Sequence, residues 1–136
     1  MSKLFKHIEA YKQYGKKHPR NLLIVKSYIS QFLRKGNRIN RTIPLEEMHR
    51  HCEKCLGFPI PYDVFAGTVY AFGCFQIVER GKHEFADISN HSPIIRLKRR
   101  DCCNENEFFD IYQIKLFFGD QAISPDLFEQ IQPKGS

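Results

Sequence analysis

The chain has 136 residues, of which 42% are hydrophobic and 13% aromatic, and its formal net charge is +6. This composition favours one packed domain over wholesale disorder. Apolar runs stay far short of the roughly 18 residues that a membrane span needs. The N-terminus lacks the continuous apolar stretch of a secretory signal. We therefore expect an intracellular protein, cytoplasmic or associated with the nucleoid, that makes no membrane contact.

Positive charge is concentrated in two segments of the chain. Residues 1–41 carry eleven Lys or Arg and one acid, and residues 91–100 carry four bases and no acid. Residues 42–90 and 101–136 are acidic, with net charges of −3 and −5. Such segregation is typical of a protein that binds a polyanion, although a solvated helix face that binds nothing has a similar composition.

Two helices are predicted in the N-terminal third. Residues 3–14 form a short amphipathic pattern that Gly15 is suited to end. Residues 22–35 give the clearest helical pattern in the chain, because apolar side chains recur at i, i+3, i+7, i+10 and i+11. Asn21 is a plausible N-cap of this second helix, and Gly36 suits the position just after its end.

A connector and a third helix follow. The stretch "NRINRTI" (residues 37–43) favours a short strand or an extended connector, because Ile39 and Ile43 are apolar and Thr42 is β-branched. Pro44 then opens a helix with acidic residues in its first turn, and Gly57 lies just past its end. The helical stretch contains two histidines and two cysteines.

A fourth helix, a hairpin and a further strand are predicted next. Pro61 can start a helix that Gly73 ends, although Gly67 within it lowers helix propensity. After Gly73 the apolar period changes, and "FQIVERGKHEF" reads as a hairpin with its turn in "ERGK". Alternation in "IIRLKRR" suggests another strand.

The C-terminal residues 101–136 are acidic and rich in aromatic side chains. Residues 104–119 suit a helix or a strand, and "SPDLFEQIQ" suits a short helix with a serine N-cap. This segment is expected to cover the core or to form a homodimer interface, and its composition fits both alternatives equally well.

The order of helix, short strand, helix, turn, helix and hairpin resembles the winged-helix variant of helix-turn-helix domains. The resemblance spans residues 20–100 and implies an α+β fold with a three-helix core and a small antiparallel hairpin wing. Residues 1–19 would form a basic N-terminal helical arm, and residues 101–136 a C-terminal helical extension. In such domains the third helix commonly enters the DNA major groove, and the wing contacts the backbone or the minor groove.

The helix at residues 61–73, which would be the third helix of the winged-helix core, departs from this pattern. A helix that reads base edges usually offers Arg, Lys, Asn or Gln, and "PYDVFAGTVYAFG" offers none of them. Phosphate contact through basic residues elsewhere is therefore the expected mode of binding. The residues predicted to contact nucleic acid are Lys12, Lys16, Lys17, Arg20, Arg34, Lys35, Arg38, Arg41, Arg80, Lys82, Arg96, Lys98, Arg99 and Arg100.

The stretch "MHRHCEKCLG" contains a Cys-x-x-Cys pair, Cys52 and Cys55, beside two histidines. Such spacing can supply half of a zinc site, with Cys102 and Cys103 as the nearest other thiols. On a helix, however, both Cys52 and Cys55 fall on the apolar stripe, where small buried thiols are common. We expect core thiols and no metal.

No motif of catalysis or cofactor binding is present: the chain has no phosphate-cradling glycine loop, no HExxH and no nucleophile elbow. His7, His18, His83 and His91 have polar or basic neighbours and are expected at the surface. The sequence therefore predicts a non-enzymatic protein without a cofactor, most simply one that binds duplex DNA or another nucleic acid. An adaptor that docks on a protein partner is the alternative.

Overall fold

The structure, a computed structural model, describes residues 3–99, with side chains described as far as residue 96. It is a mixed α+β structure with five helices and a two-stranded antiparallel sheet in this part of the chain, which confirms the expected class. In chain order the elements are α1 (Lys3–Lys17), α2 (Pro19–Phe32), α3 (Leu45–Leu56), α4 (Tyr62–Ala71), β1 (Ile77–Arg80), β2 (His83–Ala86) and α5 (Pro93–Arg99).

The predicted limits of the first two helices are wrong by about three residues. Helix α1 continues through Gly15, and α2 begins at Pro19 rather than after Asn21. Proline is well suited to the first turn of a helix, where its missing N–H would have no intrahelical partner. Helix α2 ends at Phe32 because Leu33 is extended, with ψ at 135°, and its side chain turns into the core.

Helices α3 and α4 begin and end close to the predicted positions. Pro44 precedes α3, and Gly57 ends it in the left-handed conformation, with φ at 79°. Only glycine adopts this conformation at little cost. Pro61 precedes α4 in the same way. Residues 37–44 between α2 and α3 form a connector outside the named strands, which is one of the two predicted alternatives.

The hairpin is confirmed. Strands β1 and β2 pair in register from Ile77 opposite Ala86 to Arg80 opposite His83. The turn is the dipeptide Gly81-Lys82, with φ of Gly81 at 63°, whereas Lys82 has a negative φ. A glycine at the first of two turn residues is the signature of a type II′ hairpin.

The strand predicted from "IIRLKRR" is wrong, because Pro93–Arg99 is helix α5. The carbonyl oxygen of Ser92 accepts bonds from the Ile95 and Arg96 amides, which starts the helical turn. Ile94 and Ile95 are both buried. Adjacent residues share one buried side on a helix but point to opposite faces of a strand, so apparent alternation was a misleading signal here.

The core lies between α2, α3 and α4 and is centred on large side chains such as Tyr28, Phe32 and Phe65. The middle of helix α4 is buried, with six successive residues, Val64–Val69, almost entirely shielded from solvent. This follows from its position, because α1 packs along one side of α4 and the core helices pack on the other.

Gly67 allows α1 and α4 to approach each other. A Cβ atom at this position would lie 2.1 Å from the backbone oxygen of His7 and 2.8 Å from Cβ of Tyr11. The glycine that lowered helix propensity in the sequence is therefore required by the packing of α1.

The expected division at residue 19 stays a prediction, as do the elements expected in residues 101–136, which lie outside the described residues.

Candidate nucleic-acid interface

Two distant segments are tied together to form an open groove. After α2, Lys35 forms an antiparallel bridge with Ile88. The Gly36 amide donates to the Asp87 oxygen at 2.8 Å, and the Ser89 amide donates to the Arg34 oxygen at 2.7 Å. A Cβ on Gly36 would lie 2.9 Å from backbone atoms of Ile88, so a glycine is needed for this close approach.

Asn40 holds the connector in place. Its amide nitrogen donates to the Ile88 oxygen at 3.1 Å and to Oδ1 of Asn90 at 2.9 Å, and its own Oδ1 accepts from the Thr42 amide at 2.9 Å. The side chain is only 8% exposed. A buried amide with its polar atoms paired fixes the connector, and so fixes the backbone from which Arg38 and Arg41 project.

The groove has a volume of about 580 Å³ and is polar and basic. Its walls include Lys35, Arg38, Arg41 and His91, and in the described part of the chain they include no Asp or Glu. Arg38 and Arg41 are exposed. The ammonium of Lys35 is instead engaged, at 2.6 Å from Oδ2 of Asp87 and 2.8 Å from the Cys74 oxygen. The two arginines therefore carry the groove's free positive charge.

A second basic surface lies on the outer side of α1. Lys6, Lys12, Lys16 and Lys17 are exposed there. Glu9 is the acid of this helix and lies 3.9 Å from Nζ of Lys12. The surface repels cations overall, and the lysines in its last turn also complement the negative end of the helix dipole.

The hairpin turn lies beside the start of α1. Nζ of Lys3 and Oε2 of Glu79 are 2.6 Å apart, which joins the first turn of α1 to β1. Arg80 and Lys82, both exposed, flank Gly81 at the turn. The structure thus brings two predicted residues of the wing close to the N-terminal end of the basic helix.

The other predicted contacts are spread more widely. Arg20 lies exposed in the first turn of α2, Arg34 just after α2, and Arg96 on α5. Lys98 and Arg99 belong to α5, and Arg100 lies outside the described residues. The set is therefore distributed over several surfaces, of which the groove and the α1 side are the best defined.

Helix α4, which occupies the place of the third helix in the expected arrangement, is not free to enter a DNA groove. Its outer side is covered by α1, and Asp63 in its first turn is paired with His7 at 2.8 Å. A helix must present an exposed side chain row to base edges in order to read them. Helix α4 is therefore unsuited to reading base edges because α1 covers it, as well as because it has no Arg, Lys, Asn or Gln side chain.

His7, expected at the surface, is buried at 2% exposure. Its Nδ1 is 2.8 Å from Oδ1 of Asp63, and its Nε2 is 2.9 Å from Oε1 of Glu84. The hydroxyl of Tyr62 donates to the same Glu84 oxygen at 2.8 Å, and the Glu84 amide donates to Oε1 of Glu46. Both ring nitrogens donate only when the imidazole is protonated, so these contacts fit an imidazolium.

Opposing effects set the pKa values in this network. Burial alone would lower the pKa of His7, but the hydrogen bonds and charges of Glu84 and Asp63 raise it above its ordinary 6.5. Burial alone would raise the pKa of Glu84, but the bonds from His7 and Tyr62 lower it below 4.5. Burial, together with Glu84, raises the pKa of Tyr62. The sequence holds one signal that His7 is buried, because this residue lies at helical spacing beside the apolar positions of α1.

The histidines and cysteines of "MHRHCEKCLG" have structural partners. Cys52 is buried, and burial raises the pKa of its thiol, while Cys55 is half-buried with Sγ 3.7 Å from the His51 ring. His49 bonds to the Ile60 oxygen, and the Ile60 amide donates to Glu53 at 3.0 Å. These bonds fix the turn between α3 and α4.

Residues 3–99 contain no group of three ligands that could hold a metal, and Cys102 and Cys103 lie outside them.

Comparisons of the chain with protein families, with curated proteins and with solved structures find no match. In the described part of the chain, no helix has both the length and the apolar character needed to cross a membrane.

Proposed function

We propose that this chain is a winged-helix protein that binds duplex DNA, mainly through phosphates and without catalysis, as a transcriptional regulator or a mobile-element accessory factor. The observation that carries the proposal is the groove into which Arg38 and Arg41 project from a fixed connector. In the described part of the chain, the walls of this groove contain no carboxylate. Guanidinium groups bind phosphate oxygens in bidentate geometry, and their charge persists at all physiological pH values. Such a protein would act in the cytoplasm or at the nucleoid.

The order and pairing of the elements support the winged-helix part of the proposal. Residue Lys35 pairs with Ile88 beyond β2, and β2 pairs with β1. The segment just after the first core helix therefore lies next to the residues that follow the second hairpin strand, as expected for a wing that joins a three-helix core. Fold alone does not decide what a winged helix binds, so the function depends on the groove and its charges.

The charge distribution supports phosphate contact in particular. Residues 1–41 carry a net charge of +10, whereas residues 101–136 carry −5. Phosphate contacts supply affinity and orientation without reading sequence. Buried α4 leaves little room for base readout by the usual helix. Two copies joined through residues 101–136 would place two such surfaces on two half-sites, which extends the proposal to a homodimer.

A salt titration of duplex binding tests the proposal. For the wild-type protein we expect log K to fall steeply with log salt, because each neutralised phosphate contributes a slope of about −0.9. The double variant Arg38→Gln/Arg41→Gln should lower affinity at least about tenfold and make the slope shallower by about two. Arg50→Gln/Lys54→Gln on α3 removes equal charge outside the groove and is the matched control.

Two results would contradict the proposal, the first its DNA binding and the second its assignment of the groove as the binding site. One is the absence of any duplex binding by the wild-type chain at about 50 mM salt, where phosphate contacts are strong. The other is an equal loss of affinity in the Arg38/Arg41 and the Arg50/Lys54 variants, which would reduce the groove to a contribution of net charge.

A protein-interaction adaptor that acts on a nucleic-acid-handling complex is the second candidate. The covering of α4 by α1 favours it, because the usual DNA-reading helix is unavailable. In that case the basic groove would bind an acidic surface of the partner. Failure of the wild-type chain to bind duplex at low salt is the outcome that would favour this candidate.

A further inference from the structure

We propose that α1, and not α4, is the helix that lies in the DNA major groove, with the hairpin turn beside it. This inference rests on the proposed DNA-binding function and assigns the element that docks. It concerns a surface separate from the Arg38/Arg41 groove, which would contact the phosphate backbone. The observations that carry it are the position of α1, the chemistry of its outer side and its attachment to the fold.

The position of α1 is the first observation. It packs along the side of α4 that faces away from the core, and the contact is closest where the His7 backbone meets Gly67. A partner that approaches α4 from outside therefore meets α1 first. Helix α1 is 15 residues long, or about 22 Å, which fits lengthwise in a major groove about 12 Å wide.

The chemistry of the outer side is the second observation. Lys6, Gln13 and Lys17 recur at i, i+7 and i+11 and so form one row, with Lys12 and Lys16 beside it. The row offers cationic donors to phosphates and to guanine, and one amide that can bond an adenine edge. α4 offers no comparable side chain. Glu9 lies on the same outer side, between this row and Lys12 and Lys16, and its carboxylate would be repelled by phosphate.

The hairpin turn completes the surface. The ion pair between Lys3 and Glu79 places β1 at the N-terminal end of α1. Arg80 and Lys82 at the turn can then reach the phosphates that flank a helix in the groove. In a winged helix, one helix commonly lies in the major groove and the hairpin contacts DNA beside it. The same arrangement is proposed here, with α1 instead of α4 as the helix in the groove.

Attachment of α1 to the fold is the third observation. His7 is buried and contacts Asp63 of α4 and Glu84 of β2, so one side chain joins α1 to two other elements. A docking element that is already fixed in place loses little further conformational freedom on binding. The basic row is therefore presented on a rigid support rather than on a loose N-terminal segment.

Charge variants of α1 in the full chain test the inference. Lys12→Gln/Lys16→Gln should lower duplex affinity at least about tenfold and make the salt slope shallower by about two, relative to Arg50→Gln/Lys54→Gln. Glu9→Gln should raise affinity, by roughly two- to fivefold, because it removes a repulsive charge from the outer side of α1. A purely structural role of α1 predicts no gain from that substitution.

Methylation of guanine N7 supplies a geometric readout, because this atom lies in the major groove. Wild-type protein should protect guanines from dimethyl sulfate, and the Lys12/Lys16 variant should protect them less at equal occupancy of the duplex. Gly67→Ala, which displaces α1, should weaken binding. If that variant does not fold, the charge variants and the protection assay still decide.

The outcomes distinguish the role of α1 from DNA binding itself. If the wild-type chain binds duplex normally, any one of three results would overturn the assignment of α1 and leave the proposed function standing. These results are α1 variants whose affinity matches that of the Arg50/Lys54 control, guanine N7 atoms that the protein does not protect, and tighter binding by folded Gly67→Ala. Tighter binding by that variant would point to an uncovered α4. Absence of binding by the wild-type chain would overturn both.

Discussion

At the scale of single residues, the buried ring of His7 balances the negative charge of the buried Glu84 carboxylate. Replacing it with alanine leaves Glu84, itself 5% exposed, without its cation. Removing one partner of a buried ion pair costs more than the pair contributes, because the remaining charge is uncompensated. We expect His7→Ala to lower the free energy of unfolding by about 3 kcal/mol, as measured by urea denaturation.

A double-mutant cycle supplies the control for the His7 substitution. In the His7→Ala background, Glu84→Gln removes the uncompensated charge, so this second change should cost less than Glu84→Gln costs alone. Additive losses in the two single variants and the double variant would contradict the coupling. The cycle separates the ion pair from any loss of packing caused by the missing ring.

The pH dependence of stability follows from the same residue. The pKa of His7 is raised above 6.5 in the folded state, so its contribution is complete below pH 6.5 and is lost as the pH rises through the folded value. Over that interval stability should fall by up to about 1.4 kcal/mol per pH unit. Urea midpoints measured from pH 6 upward in the wild-type chain check this.

His7→Ala is the reference for the pH experiment, and its stability should vary less over the alkaline interval. Glu84 acts in the opposite direction, because its pKa is lowered below 4.5 and its contribution is lost as the pH falls through the folded value. The network should therefore stabilise the fold most between these limits. A wild-type stability that rises with pH above 6.5 would contradict the raised pKa of His7 in the folded state.

At the scale of elements, the contact between α1 and α4 depends on the missing side chain of Gly67. Alanine there would put Cβ 2.1 Å from a backbone oxygen, which a rotamer change cannot relieve. Overpacking of this kind costs about 1–3 kcal/mol. We expect Gly67→Ala to lower stability by that amount and to make α1 sensitive to limited proteolysis.

Gly15→Ala is the matched control within α1. Its Cβ would meet the end of the Leu22 side chain, a flexible group that can move aside. Alanine also has a helix propensity about 1 kcal/mol better than that of glycine. Neutral or increased stability is therefore expected from Gly15→Ala, and an equal loss in both variants would show that the α1–α4 contact is not specially close.

The elements that were predictable are those with local chemical signals. Pro44 and Gly57 mark the two ends of α3, and Gly81 marks the hairpin turn. Each of these positions requires a backbone conformation that proline or glycine favours, so the residue type alone indicates the position. Helix α5 was missed because alternation of apolar and basic residues in a short segment is compatible with either structure. Burial of both Ile94 and Ile95 against the core decided it, and that burial is not local information.

At the scale of the whole molecule, the site was predictable in charge but not in geometry. Segregated basic residues follow from composition and position along the chain. The groove, by contrast, requires Asn40 to meet Ile88 and Asn90, residues about fifty positions away. His7 likewise meets partners 56 and 77 positions along the chain. Local periodicity carries no information on such pairings.

Hydrogen exchange reports on the arrangement of the whole molecule, in which α4 lies between α1 and the other core helices. Amides of Val64–Val69 should exchange most slowly, through global unfolding, because local opening of α4 would disturb both neighbours. The His7 network ties α1 to α4, so amides from Ile8 to Tyr14 should approach the same protection. The exposed Gly81-Lys82 turn should exchange far faster. Rapid exchange throughout α1, with α4 still protected, would show instead that residues 1–19 open as a separate arm.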